Sequence, residues 1–301
     1  MKPAAAAGPA SPAPLTIGPQ RFVWGVRTYV MGIVNVTPDS FSGDGILAGP
    51  SADPVGAAVS QARAMVADGA DLLDVGGEST RPGHDEVGAD EEVRRVAPVI
   101  AAIRRALPET PLSVDTTKPA VATAALEAGA DLVNDVWGVA ADDSLARIAA
   151  SRGVPLVLMH NRAEPRYDDL VAEVIADLAA AIERAVRAGV AREQLIVDPG
   201  FGFGKTAEQN VAILAHPSEL RILGRPILLG TSRKSTLGRI LELPADQRLE
   251  ATIATTALGI AAGADLVRVH DVQANVRAAR TADAIIRGSW HQPVTAEGGI
   301  S

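Results

Sequence analysis

Asp115, Asn134 and Asp198 each stand at the close of a short apolar run, in "PLSVDT", "ADLVND" and "LIVDPG". Two carboxylates and an amide brought together can read the edge of a flat nitrogen heterocycle. A carboxylate accepts two parallel bonds from an amidine-like edge, and an amide both donates and accepts. Other apolar runs also end in polar residues. "YVMGIVNV" delivers Asn35, "PLVLMH" leads into Met159, His160 and Asn161, and "PILLGTSRKS" runs into Ser232, Arg233 and Lys234. "DLVRVHDV" carries Arg268, His270 and Asp271. Arg268 and His270 are alternate residues of one predicted strand and share a face. An inward arginine is costly unless it meets an anion or an acid. Arg81 in "STRPG" joins Arg233 and Lys234 as cations beside Ser and Thr donors, a combination suited to phosphate or carboxylate. Asn35, near Asp39 and Asp44, offers oxygen to a hard cation. Neither a Ser-His-Asp nucleophile order nor a His-rich zinc spacing is evident. The chemistry implied is electrostatic stabilisation and positioning rather than a covalent intermediate.

Several of these residues also have plain structural readings. His160 alone reads as a satisfied core histidine, Lys205 as a solvated loop lysine, and Asp135 as a partner for a neighbouring strand. Asp74 and Asp271 read as caps of the turn or helix that follows. "DPGFGFGKT" resembles a phosphate-binding loop, but the glycine that loop requires is replaced by Pro199, which has no N–H to donate.

The elements that must position these residues follow from a repeated pattern. "ADGADLLDVGG", "EAGADLVNDVWG" and "AAGADLVRVHDV" each place Gly-Ala-Asp-Leu between a helical pattern and a short apolar run. Glycine is a natural helix C-terminal residue because positive φ costs it little. Five further apolar runs bring the predicted strands to eight, with helical patterns between them over 54–67, 90–107, 119–128, 144–151, 170–188, 209–223, 247–262 and 276–287. Eight β-α units predict an α/β protein with a single-domain (β/α)8 TIM barrel, a doubly wound open sheet being the alternative. In such a barrel the strand C-termini gather the polar residues at one rim. The expected boundaries are a disordered tail over 1–20, the barrel over 21–290 and a C-terminal tail over 291–301.

Composition agrees with one large aliphatic core. The 301 residues are 47% hydrophobic and 3% aromatic, and the net charge of −8 argues against a nucleic-acid partner. The absence of cysteine excludes disulfides, thiolate metal sites and cysteine nucleophiles, and suits a cytoplasmic protein. No stretch approaches a transmembrane span, so no membrane association is expected.

In family order, "MGIVNVTPDSFSGDG", "DLLDVGGESTRPG", "SVDT", "NDVWG", "MHN", "DPGFGFGKT", "GTSRKS" and "RVHDV" resemble the dihydropteroate synthases of folate biosynthesis. The likeness runs from Tyr29 to Ile286. It implies a transferase that joins 4-aminobenzoate to (7,8-dihydropterin-6-yl)methyl diphosphate with Mg2+, usually as a homodimer. By motif, Asp115, Asn134, Met159, Asp198 and Lys234 match pterin-binding positions, and Arg268 matches the one stacking near the pterin. Asn35 matches the metal and diphosphate position, with Arg81 and His270 on the diphosphate. Lys234 and Arg268 join these three as the expected catalytic set. Phe41, Thr80, Pro82, Phe203 and Ser232 match the aminobenzoate pocket, where sulfonamides compete. Trp137 and Asn161 depart from the commonest family pattern. Two rivals are a pterin-binding methyltransferase domain, which should lack "NVTPDSFS" and "SRKS", and a paralogue that binds pterin without turnover.

Overall fold

The computed structural model describes residues 11–36, 53–78, 87–138 and 142–289. The first described segment forms an antiparallel hairpin of β1 (Leu15–Ile17) and β2 (Gln20–Phe22). The next strand, β3 (Tyr29–Asn35), begins the barrel. Then come α1 (Pro54–Ala67), β4 (Leu72–Gly76), α2 (Ala89–Ala106), β5 (Leu112–Asp115), α3 (Pro119–Ala128) and β6 (Leu132–Asp135). After these come α4 (Ser144–Arg152), β7 (Leu156–Met159), α5 (Leu170–Arg187), β8 (Leu195–Asp198), α6 (Ala207–Ala215) and β9 (Leu228–Leu229). The chain continues with α7 (Ser235–Leu241), α8 (Leu249–Ala261), β10 (Leu266–Val269) and α9 (Val272–Ile286).

The eight strands from β3 to β10 are parallel, in the order β8-β7-β6-β5-β4-β3-β10-β9. A parallel bridge from Val197 to Ile227, with the Val197 N–H donating to Pro226 O at 2.9 Å, joins the two ends of that order. The sheet therefore closes on itself as a (β/α)8 barrel, which rules out the doubly wound alternative.

Local chemistry explains the register. In each echoed Gly-Ala-Asp, the glycine takes positive φ (102° at Gly69, 113° at Gly129, 103° at Gly263) and ends the helix. The aspartate then brackets the neighbouring strand. Asp71, Asp131 and Asp265 donate their own N–H to the carbonyls of Val30, Leu112 and Ile227 at 2.8, 2.7 and 2.9 Å. Their carboxylates accept the N–H of the same three residues at 2.8, 2.9 and 3.1 Å. The repeat thus ties together three strand pairs at the N-terminal end of the barrel.

The hairpin plugs that end. Leu15, Ile17, Phe22, Trp24 and Tyr29 pack against an inner layer that includes Met31, Leu72, Leu132, Val157, Ile196, Leu228 and Leu266. The expected tail over 1–20 is corrected accordingly: residues 15–20 belong to the hairpin, because Leu15 and Ile17 alternate into this layer. Residues 1–10 and the expected tail over 291–301 lie outside the described residues.

Three helix expectations also change. The helix expected over 209–223 starts earlier, at Ala207, because Thr206 and Gln209 form a reciprocal capping box. It also stops at Ala215, and the chain continues from Pro217 as a 3-10 turn, since proline offers no amide hydrogen to extend the α-helical ladder. The short α7 was not anticipated, and α9 begins at Val272 rather than Val276. No helix among the described residues is long and apolar enough to cross a membrane.

Candidate active site

Strand alternation builds the site. Leu72, Leu132, Ile196 and Leu266 belong to the inner apolar layer. The residues two further along, Asp74, Asn134, Asp198 and Arg268, therefore point inward one layer nearer the C-terminal mouth. Asp115 joins them, aligned with Gly76 on one side and Asn134 on the other. Gly76 lies directly beside it: a Cβ there would rest in ordinary contact, 3.5 Å from the Asp115 Cβ.

Arg268 organises the group. Its Nε donates to Asp74 Oδ2 at 2.6 Å and a terminal nitrogen donates to Asp115 Oδ2 at 2.7 Å. Asn134 Nδ2 donates to the same Asp74 oxygen at 3.1 Å. Burial opposes the Arg268 charge, but the two carboxylates outweigh it and raise its affinity for the proton. Burial pushes the Asp115 carboxyl up to about 7, with Arg268 opposing and Asp74 reinforcing the rise. Asp198 is pushed up to about 6 by burial, against the Gly200 N–H that donates to its Oδ1 at 2.7 Å and the nearby Lys234, Lys205 and Arg268 charges. Asp74 Oδ1, Asp115 Oδ1 and Ser113 Oγ are buried with no hydrogen-bond partner among the described residues. Acceptors stranded in this way cost free energy unless a ligand answers them.

Asp74 is the residue that its plain reading missed. It is fully buried and holds Arg268 and Asn134 rather than capping a turn. The signal was present in "DLLDVGG": Asp74 shares parity with Leu72, a core residue.

An adjoining wall comes from the loops after β8 and β9. The Lys234 ammonium lies 3.8 Å from the centre of the Phe203 ring, a cation–π contact. Arg233, just before it, adopts a left-handed backbone at φ 57°, which is costly for a side chain of that size. Its guanidinium grips Asp271 through two bonds, at 2.6 and 3.1 Å, so Arg233 braces the loop instead of serving as the rim anion site expected of it. Asp271 stands at the N-cap position of α9 but makes no side-chain cap bond, which corrects its capping reading. Ser232 Oγ accepts the His270 N–H at 3.2 Å and lies 3.0 Å from His270 Nδ1.

Asn35 ends β3, and its side chain makes no hydrogen bond among the described residues. Met159 is buried and aligned with Asp198. Trp137 is substantially exposed, and Asn161 donates to Val136 O at 3.2 Å, tying the β6 exit to the β7 exit. His160 faces away from the mouth and contacts Asp177, in keeping with its plain reading. Lys205 is not a solvated lysine: its ammonium is enclosed by His160 and two carbonyls, and burial lowers it to about 7. Phe41, Thr80, Arg81 and Pro82, with Asp39 and Asp44, lie outside the described residues. Of the expected positions, the structure brings together Asp115, Asn134, Asp198 and Arg268, with Lys234 and Phe203 forming an adjoining wall.

Comparison with known proteins adds to this geometry. Residues 31–270 match the family described as pterin binding enzyme. A dihydropteroate synthase of Clostridium beijerinckii is 48% identical over 274 residues, covering 91% of this chain and all of that protein. A solved Clostridium difficile dihydropteroate synthase, determined in the presence of pteroic acid, superposes with a TM-score of 0.84 at 48% identity, covering 88% of this chain and 99% of that one. The Xanthomonas albilineans dihydropteroate synthase with 4-aminobenzoic acid gives a TM-score of 0.81 at 46% identity, covering 86% and 93%.

Proposed function

The chain belongs to the pterin-binding enzymes, and from that premise we propose how its rim residues carry out the dihydropteroate synthase reaction. The protein is a transferase of folate biosynthesis. It joins 4-aminobenzoate to (7,8-dihydropterin-6-yl)methyl diphosphate, giving 7,8-dihydropteroate and diphosphate. The observation that carries the residue assignment is the buried polar layer of Asp74, Asp115, Asn134, Asp198 and Arg268, with carboxylate oxygens that nothing else among the described residues satisfies.

The pterin's amino-pyrimidine edge presents N–H groups. Asp198 and Asp115 accept from it, Asn134 supplies a donor and an acceptor, and Met159 gives an apolar contact. Lys234 meets the pterin from the side of Phe203, and Arg268, fixed by Asp74 and Asp115, lies against it. The C–O bond to diphosphate breaks first, and both bonding electrons leave with the diphosphate. The aminobenzoate nitrogen then forms the new C–N bond to the cationic methylene and loses a proton. Breaking the C–O bond separates charge. His270 and Arg81 stabilise the anion that leaves, while Lys234 and Arg268 hold the pterin in line. Phe203 and Ser232, with Phe41, Thr80 and Pro82, receive the aminobenzoate.

The donor chemistry of the mouth fits Mg2+. Asn35 holds an amide oxygen there, and Mg2+ takes a few protein oxygens and completes its shell with water and substrate phosphate. Asn35 would hold the ion, which when bound neutralises charge on the diphosphate. A second copy of the chain is expected to pair through the late helices, where α8 and α9 expose Leu258 (66%) and Ile285 (75%).

A coupled assay tests the reading. Diphosphate release should require 4-aminobenzoate as well as the pterin diphosphate and Mg2+. Tight pterin binding without release would instead mark a non-catalytic pterin binder.

A further inference from the structure

Lys205 lies behind the site, and the mechanism gives it no part. Its Nζ is 2.9 Å from His160 Nδ1 and 3.2 Å from each of the carbonyls of Gly200 and Phe203. An ammonium can only donate, so His160 Nδ1 accepts and the imidazole proton sits on Nε2. Nε2 then donates to Asp177 Oδ2 at 3.1 Å, an oxygen that also receives Arg162 Nε at 2.8 Å. Burial lowers His160 to about 4 and Lys205 to about 7, so the ring is neutral and the allocation is fullest between those values, where Lys205 keeps its proton. The chain of donors runs in one direction, from Lys205 through His160 to Asp177 on α5, with Arg162 fixing the far end.

What this chain holds is the turn after β8. Gly200 has φ 70°, and any Cβ there would strike His160 O at 1.8 Å. Gly204 has φ 53°, and a Cβ there would strike Arg162 O at 2.5 Å. The turn is pressed onto the β7 exit, and Lys205 draws two of its carbonyls to one point. Phe203 rides on that turn, with its ring against the Lys234 ammonium. Asp198, by contrast, sits on the strand itself.

We propose that Lys205, oriented by His160 and Asp177, is a positioning residue that sets Phe203 against Lys234 and so shapes the aminobenzoate side of the site without touching either substrate. This rests on the assignment of Phe203 to the aminobenzoate pocket. Removing the ammonium frees the loop residue more than the strand residue, so the two substrates respond differently. Lys205→Met keeps the length of the side chain and removes its donors. It should raise KM for 4-aminobenzoate about tenfold, as expected for a displaced binding group. Pterin affinity, measured by direct titration, should fall by clearly less, since Lys205 reaches Asp198 only at a distance and through the Gly200 turn. Lys205→Arg should recover part of the loss, and Asp177→Asn should shift the same KM in the same direction by less. Asp177 lies at the far end of the chain, so its variant decides the matter if Lys205→Met does not fold. Phe203→Ala separates the two ideas. A raised KM there with a flat KM in Lys205→Met and Asp177→Asn overturns the proposal alone. A flat KM in Phe203→Ala removes the pocket assignment and the proposal with it. Equal loss of both substrates in Lys205→Met would also overturn it, since that marks a general collapse.

Discussion

The two ends of the barrel use aspartate for opposite purposes. At the N-terminal end, Asp71, Asp131 and Asp265 each accept the N–H of the first residues of a neighbouring strand. Asp71 adds a double contact to Arg27, and Asp131 an ion pair to Arg104. At the C-terminal mouth, Asp74 and Asp115 share Arg268, and each keeps one buried oxygen with no hydrogen-bond partner among the described residues. Among the described residues, Asp198 receives one hydrogen bond, from the Gly200 N–H. Burial strains both ends, since Asp265 is also pushed upward. The difference lies in what answers the charge. Below, the backbone and arginines complete Asp71 and Asp131, while Asp265 keeps one buried oxygen without a hydrogen bond among the described residues, 3.9 Å from an Arg287 nitrogen, and the fold gains register. Above, the carboxylates are left for a ligand, and the fold carries a cost that binding relieves.

Substitutions at the two ends should therefore separate activity from stability. Lys234→Ala is expected to lower turnover by about 100-fold or more, in keeping with loss of a preorganised charge at the reacting group. Its circular dichroism spectrum should match the wild type. At the other end, Asp131→Ala removes a partly buried carboxylate from a backbone N–H and from Arg104. It should cost about 2 kcal/mol in urea unfolding, with KM for both substrates unchanged.

A smaller effect comes from pH. Asp198 has its folded value raised from 3.8 to about 6, so between those values the folded chain binds more protons than the unfolded one. Its contribution to stability is therefore lost as pH rises through that window. Asp198→Asn removes this burden. The variant should be as stable as the wild type near pH 4 and more stable at pH 8, seen as a gap in urea midpoint that opens with pH. The smallest effect is expected at the surface pair of Arg147 and Asp143, which is fully solvated. Breaking it should leave turnover and urea midpoint unmoved.

Much of the mouth was legible because parity along a strand is a strict rule. Once the apolar runs were placed, Asp115, Asn134, Asp198 and Arg268 had to converge, and they do. Asp74 obeyed the same parity but was masked by a cheaper local explanation, the capping of a turn. Lys205 and Arg233 were read from neighbours in sequence, whereas their partners, His160 and Asp271, lie 45 and 38 residues away. No local pattern carries such a pairing. The hairpin over 15–22 was hidden for a related reason. Its short apolar alternation follows a Pro/Ala-rich stretch, and its burial depends on an inner layer built by strands far along the chain. The Gly-Ala-Asp repeat was visible as a repeat, but the role of its aspartate appeared only when strands were paired.

The most direct test of the division between the two ends is an equilibrium titration of a dihydropterin into folded Asp198→Ala, with folded Asp131→Ala beside it. The arrangement of the mouth predicts no saturable binding in the first and wild-type affinity in the second. Wild-type affinity in Asp198→Ala would contradict it.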